Sequence, residues 1–228
     1  MEAHVQPIPY LVIPAGGRGV RMGGGVPKQF RDWGGRPLLQ ATVEAFFETG
    51  FPPLAGIVLA VPSSYLEEVR GWSFPVPCWV VPGGDTRQAS VMAALAALPD
   101  HPDAPVLIHD AVRPFPPAQP IAQAVGILGR CDGSLLAEPC TDTLKRVDEE
   151  GFVQGTEPRE LFYRAQTPQA ARLGAWRKAF AAAEKDGFVG TDDVSLLERL
   201  GLRVKVVPSP SSNLKLTTPE DWVRTAPR

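Results

Sequence analysis

The stretch Pro14-Ala15-Gly16-Gly17-Arg18-Gly19-Val20-Arg21-Met22-Gly23-Gly24-Gly25-Val26-Pro27-Lys28-Gln29 sets three cations, Arg18, Arg21 and Lys28, among glycines directly after an apolar run. Glycines let backbone N–H groups approach phosphates closely, and the cations add charged donors. Two familiar phosphate loops fail against it. A P-loop requires Gly-Lys followed by Ser or Thr, whereas Lys28 sits in Pro-Lys-Gln. A dinucleotide fingerprint starting at Gly17 would require glycine where Met22 stands. Cations without an adjacent carboxylate or imidazole base suit stabilisation of charge on a transferring phosphoryl group. The plain alternative is a surface loop whose charges are solvated.

Other polar positions follow apolar runs in the same way. In Pro82-Gly83-Gly84-Asp85-Thr86-Arg87-Gln88-Ala89-Ser90, Asp85 reads as a helix N-cap. Backbone groups at Gly83 and Gly84 with the Ser90 hydroxyl would also suit the flat edge of a base. The run Val106 to Ile108 leads into His109-Asp110-Ala111-Val112-Arg113-Pro114. Charges there would lie at the carboxyl edge of a sheet, where open α/β folds bind ligands. The competing reading is a surface Asp110–Arg113 ion pair of little energetic weight, with His109 a buried, satisfied histidine. His4 lies in the N-terminal tail and His101 in a proline-rich loop, so no hydrolase-type nucleophile–base pair is evident. Thr191-Asp192-Asp193 opens a helical segment, where capping and the macrodipole explain the acids. No Asp-x-Asp occurs, which argues against a metal-dependent glycosyltransferase.

Positioning these groups requires a largely parallel sheet with flanking helices, and strand-length apolar runs alternate with helix-period segments as that architecture demands. Strands are expected at Ile8 to Pro14, Gly56 to Val61, Val76 to Val81, Val106 to His109, Gly133 to Ala137 and Val204 to Val207. Helices are expected at Leu38 to Phe47, from Asp85 onward, at Arg172 to Asp186, at Asp192 to Leu200, and after a Thr218 cap with Pro219 at the first helical position. The polar stretch Asp142 to Gln166 breaks this alternation. Its turn Asp148-Glu149-Glu150-Gly151 joins Leu144 to Val147 with Phe152 to Val153, which reads as a hairpin. A hairpin with so little to bury must be a solvent arm or lie against another subunit.

A chain of 228 residues suffices for one sizeable core, so one domain with an arm insertion at about 142–166 is expected. With 23 basic and 25 acidic residues, nothing favours a nucleic-acid or membrane-surface partner. Cys78, Cys131 and Cys140 have no zinc spacing and read as reduced thiols, which with the absence of a signal peptide or membrane-length run makes the cytoplasm the expected compartment.

Taken together, eight elements occurring in order resemble the 2-C-methyl-D-erythritol 4-phosphate cytidylyltransferases of the non-mevalonate isoprenoid pathway. They are Pro14 to Met22, Pro27-Lys28-Gln29, Gly83-Gly84-Asp85, His109 to Pro114, Asp142-Thr143, Thr167-Pro168-Gln169, Thr191-Asp192, and Lys215 within Asn213 to Thr217. The resemblance implies a Rossmann-like fold with a hairpin arm used in dimerisation. It also implies CTP bound with Mg2+, and attack by the acceptor's phosphate on the α-phosphorus. Arg21 and Lys28 would stabilise the transition state. Ala15, Gly16, Gly84, Asp85, Ser90, Asp110 and Ala111 would hold the cytidine. Arg113, Thr143, Arg159, Thr191, Asp192 and Lys215 would hold methylerythritol phosphate, with Thr143 and Arg159 serving the partner subunit's site. The metal would be held mainly by the nucleotide, with no protein ligand expected. Small departures are Gly16 and Val112, where many members have Ala, and Arg18 falls at a variable position. The nearest rival is a ribitol-5-phosphate cytidylyltransferase. Rivals of other classes are a non-catalytic nucleotide-sensing module and an NAD-dependent oxidoreductase.

Overall fold

The computed structural model describes residues 8–17, 25–48, 50–51 and 53–225. Among the described residues nine strands form: β1 (Tyr10–Pro14), β2 (Gly56–Val61), β3 (Cys78–Pro82), β4 (Pro105–Ile108), β5 (Gly133–Pro139), β6 (Leu144–Val147), β7 (Val153–Glu157), β8 (Tyr163–Arg172) and β9 (Val204–Pro208). Seven helices accompany them: α1 (Leu38–Glu48), α2 (Leu66–Arg70), α3 (Arg87–Ala97), α4 (Ala118–Gly126), α5 (Leu173–Lys185), α6 (Val194–Arg199) and α7 (Pro219–Thr225). The main sheet has the order β3-β2-β1-β4-β8-β5-β9, with β8 antiparallel to both neighbours and every other pairing parallel.

Apolar continuity in the strands has a direct cause, since both sheet faces are covered. Val12, Val58, Val106 and Ile108 pack on one side against Val91 and Leu95 of α3, Trp176 and Phe180 of α5, and Leu197 of α6. Leu11, Ile13, Ile57, Leu59 and Leu107 point the other way, onto Val43 and Phe46 of α1, Val69 of α2 and Ile121 of α4. Trp176 is fully buried, and its indole N–H donates to the Val106 carbonyl at 3.1 Å, so its one polar group is satisfied.

Strand ends shift where proline removes a donor. β1 starts at Tyr10 rather than Ile8, after Pro9, and β3 at Cys78 rather than Val76, after Pro77. The larger difference is β8, whose length was not expected as strand. Its Gln166, Thr167 and Gln169 look like loop in sequence yet are buried. Pro168 is tolerated in this inner strand because the β5–β8 register shifts between Leu135 and Ala137, opposite it. The helix expected to be capped by Asp85 is capped instead by Thr86, whose Oγ1 accepts from the Ala89 N–H at 3.0 Å, leaving Asp85 exposed. Thr218 does cap α7, accepting from the Asp221 N–H at 3.2 Å, while the Asp221 carboxylate returns bonds to the N–H groups of Thr217 and Thr218.

The hairpin β6–β7 forms its own two-stranded sheet apart from the main one. Gly151, at φ 90, takes the left-handed position its turn requires, and the Asp148 carboxylate accepts from the Glu150 and Phe152 N–H groups at 3.2 and 2.9 Å. The chain re-enters the main sheet at Tyr163, inside the stretch expected to be arm.

Candidate active site

The chain turns from β1 to β2 and β3 on one side of the sheet, then crosses back to place β4 on the other side of β1. The crevice at the carboxyl ends of β1 and β4 is therefore the switch point where ligands bind in such sheets. Ala15 to Gly17 leave β1 here, and Gln29 pins them: its Nε2 donates to the Ala15 carbonyl at 2.6 Å and to that of Gly17 at 2.8 Å. The loop after β3 arrives alongside. A Cβ on Gly83 would lie 2.8 Å from the Gly16 Cα, and one on Gly16 would lie 2.6 Å from Ser90 Oγ. Gly83 is held to glycine by this approach of two backbones, whereas at Gly16 the nearest atom is a side-chain hydroxyl. Ser90 is buried, its hydroxyl donating to the Thr86 carbonyl at 2.9 Å.

Asp110 lies at the centre. One carboxylate oxygen meets Arg87 Nε at 3.3 Å, and the other meets Arg113 Nε at 3.3 Å and Lys215 Nζ at 3.0 Å. Burial alone would raise the Asp110 pKa, but Arg87, Lys215 and Arg113 together hold it well below the usual carboxylate range. The Asp110–Arg113 pair is thus not the solvated surface bridge considered above. Both residues are buried, and Arg113 also donates to the Asn213 carbonyl at 2.6 Å. Burial lowers the Arg113 pKa, with Asp110 opposing.

His109 is a satisfied core histidine, as one of the two expectations had it. It has no exposed surface, with one ring nitrogen 3.0 Å from the Arg113 carbonyl and the other 3.1 Å from Thr167 Oγ1. Burial depresses its pKa to about 4, so it is neutral near pH 7 and has no free nitrogen to serve as a base.

The 209–217 segment after β9 closes the far side. Asn213, fully buried, donates to Gln166 Oε1 at 3.0 Å and the Thr167 carbonyl at 2.8 Å, tying this segment to β8. Lys215 then turns to Asp110, and Leu216 meets Lys28, whose Nζ donates to the Leu216 carbonyl at 3.0 Å. A cleft of about 780 Å3 opens beside them, lined in part by Arg113, Arg164, Gln166, Asn213, Lys215 and Arg224.

The family model for IspD, 2-C-methyl-D-erythritol 4-phosphate cytidylyltransferase, matches residues 10–226. This chain belongs to that family. A relative of the same name from Geotalea uraniireducens is 44% identical over 218 residues, covering 93% of this chain and 92% of that protein. Another, from Acidobacterium capsulatum, is 39% identical over 224 residues, covering 93% of each. The crystal structure of the Francisella tularensis 2-C-methyl-D-erythritol 4-phosphate cytidylyltransferase superposes with a TM-score of 0.80 at 30% identity, covering 95% of this chain and 97% of that one.

For this member of the cytidylyltransferase family, the structure gathers Ala15, Gly16, Lys28, Gly84, Ser90, Asp110, Ala111, Arg113 and Lys215 around one crevice. Asp192 joins from the turn before α6, accepting from Gln169 Nε2 at 2.9 Å and from the Ser195 N–H at 3.1 Å. Asp85 and Thr191 are exposed at its rim. Arg21 and Arg18 lie outside the described residues. Thr143 and Arg159 stand apart on the arm, both exposed, with an Arg159 guanidinium N–H donating to the Thr141 carbonyl at 2.7 Å. Gln29, Arg87, Thr167 and Asn213 had no expected site role, although all four lie in stretches already singled out. Thr167 accepts the Asp110 N–H at 3.0 Å. The signal that could have marked Arg87 is a cation in the first turn of a helix, where the macrodipole disfavours it.

Proposed function

We propose that this chain transfers CMP from CTP to 2-C-methyl-D-erythritol 4-phosphate, releasing pyrophosphate. It is an enzyme of the nucleotidyltransferase class, as its family is. The observation that carries the reading is a crevice at the switch point of the sheet that is rich in cations and whose histidine, His109, has no free ring nitrogen to act as a base. A phosphate monoester has a second pKa of about 6, so near pH 7 the acceptor is already a dianionic nucleophile and needs no proton removed. Its oxygen forms a bond to the α-phosphorus of CTP as the bond from that phosphorus to the departing pyrophosphate oxygen breaks. The protein's work is alignment and compensation of negative charge.

In this reading Lys28, with Arg21, faces the charge developing at the α-phosphorus. Ala15, Gly16, Gly84, Asp85, Ser90, Asp110 and Ala111 hold the nucleotide, and Arg113, Thr191, Asp192 and Lys215 hold the acceptor. Mg2+ fits as a passenger of the nucleotide. No three His, Cys, Asp or Glu groups come together among the described residues to hold a metal, and both oxygens of Asp110 already face cations. Bound to the triphosphate, Mg2+ would neutralise phosphate charge.

The arm supports a homodimer. Val147, Phe152, Val153 and Leu161 are each more than half exposed there, an apolar display that a second subunit would cover. Thr143 and Arg159, remote from their own crevice, would then complete the partner's. Among the described residues no helix is long and apolar enough to cross a membrane, and the three unpaired cysteines suit the cytoplasm.

Family membership favours methylerythritol phosphate over ribitol 5-phosphate. The test is CTP-dependent pyrophosphate release with each acceptor. Strong preference for methylerythritol phosphate is expected, and preference for ribitol 5-phosphate would overturn the assignment.

A further inference from the structure

Arg87 begins α3, where its positive charge works against the helix dipole. Its surroundings explain its presence. Two guanidinium nitrogens donate to the two oxygens of Asp193 at 2.7 Å each, and the third, Nε, donates to Asp110 Oδ1 at 3.3 Å. Asp193 stands at the N-cap of α6 but makes no capping bond with its side chain. Asp192 takes over that task by accepting from the Ser195 N–H, and the buried Asp193 carboxylate is left to Arg87. Burial would lower the Arg87 pKa, but Asp193 and Asp110 more than offset it. Arg87 is thus a permanent cation with a guanidinium plane fixed by a fork-to-fork pair.

That fixed plane divides the Asp110 carboxylate. Oδ1 is claimed by Arg87, so Oδ2 is the oxygen presented to Arg113 and to Lys215 at the mouth of the cleft. Without Arg87, the Asp110 carboxylate is free to rotate and share both oxygens with Lys215 and Arg113, and the Lys215 ammonium loses its defined place. We propose that Arg87, clamped by Asp193, is a positioning residue that sets the rotation of Asp110 and through it the location of Lys215. This rests on the reading above, in which Lys215 holds the acceptor phosphate. It couples the loop after β3, on the nucleotide side, to the start of α6, on the acceptor side.

The test measures steady-state transfer by Arg87→Met and Arg87→Lys, each corrected for the folded fraction, alone and combined with Lys215→Ala. Misplacing a reacting group by about 1 Å costs on the order of 100-fold, so Arg87→Met is expected to lower kcat/KM for the acceptor by about that factor. Arg87→Lys keeps a charge beside the carboxylates, but an ammonium cannot reproduce the fork. It is expected to recover thermal stability without recovering kcat/KM. In the Lys215→Ala background either change is expected to cost less than about threefold further, because the group being positioned is already gone. Full activity in Arg87→Lys, or losses that multiply with Lys215→Ala, would overturn the proposal and leave Arg87 a staple between α3 and α6. Arg87→Lys keeps the question decidable if Arg87→Met does not fold. Failure of the functional reading itself shows separately, as no CTP-dependent pyrophosphate release by the unaltered enzyme.

Discussion

The crevice around Asp110 and the arm from Leu144 to Phe162 are both polar in sequence, yet the fold treats them in opposite ways. In the crevice Asp110, Arg113 and Asp193 are buried, and each finds a charged partner. On the arm the Arg146–Glu157 bridge lies in solvent while Phe152 and Leu161 are uncovered beside it. Charge is withdrawn from water where its geometry must be fixed, and apolar surface is left in water where a second chain would cover it. Removing one member of a buried charge set leaves its partners without compensation, whereas removing an exposed one leaves them to water.

The largest effect should therefore come from Asp110→Ala. Arg113 would be left buried without its carboxylate, and breaking such a pair typically costs about 3–5 kcal/mol. Urea unfolding would measure it. A loss below about 1 kcal/mol would mean that water reaches the cluster, and the contrast with the arm would collapse.

Lys28→Ala sharpens the comparison by separating chemistry from stability within the crevice. Lys28 is only half-buried and makes its described bond to a backbone carbonyl, so the midpoint of unfolding should scarcely move. If it faces the α-phosphorus, turnover should fall about 100- to 1000-fold, the usual consequence of deleting one donor to developing charge. Unchanged kcat would remove Lys28 from the mechanism.

The parallel strands and the hairpin were legible because their signals are local. Alternate residues of β1 and β2 feed opposite cores, and Asp148 to Gly151 form the turn their types favour. β8 was hidden because half of its buried positions are Gln166, Thr167 and Gln169, polar residues whose partners near the start of α6 and in the 209–217 segment are distant in sequence. Arg87 was hidden for the same reason: Asp193 is 106 residues away, and no spacing announces the pair. Asp85 was misjudged as the cap because it and Thr86 are both good caps, and only the path of the loop decides between them.

His109 offers a smaller, pH-dependent test of how dry the crevice floor is. Its folded pKa of about 4 lies below the 6.5 of an ordinary histidine, so between these values the unfolded chain binds the extra proton. The stability this site contributes is complete above pH 6.5 and is lost as pH falls toward 4, by about 3 kcal/mol across the window. Unfolding free energies at pH 7 and pH 4.5 should show that loss in the parent and a shallower slope in His109→Gln. Equal slopes would mean that the imidazole is reached by water and protonated in place.

The smallest effect belongs to the arm. Arg146 meets Glu157 at 3.1 Å across the hairpin, but the Arg146 side chain is 69% exposed. Such pairs are worth about 0.2–1 kcal/mol, because water already solvates both charges and ordering two long side chains opposes the gain. Arg146→Ala should therefore leave the unfolding midpoint of the main sheet nearly unchanged. Leu161→Asp, placed on the uncovered apolar surface, should behave differently from any crevice variant. It should leave that midpoint alone but shift the sedimenting species from dimer toward monomer. Activity should then fall with dilution, since Arg159 would no longer reach a partner's crevice. A parent enzyme that sediments as a fully active monomer would show instead that the arm serves its own subunit or none, and that its exposed apolar residues answer to some other contact.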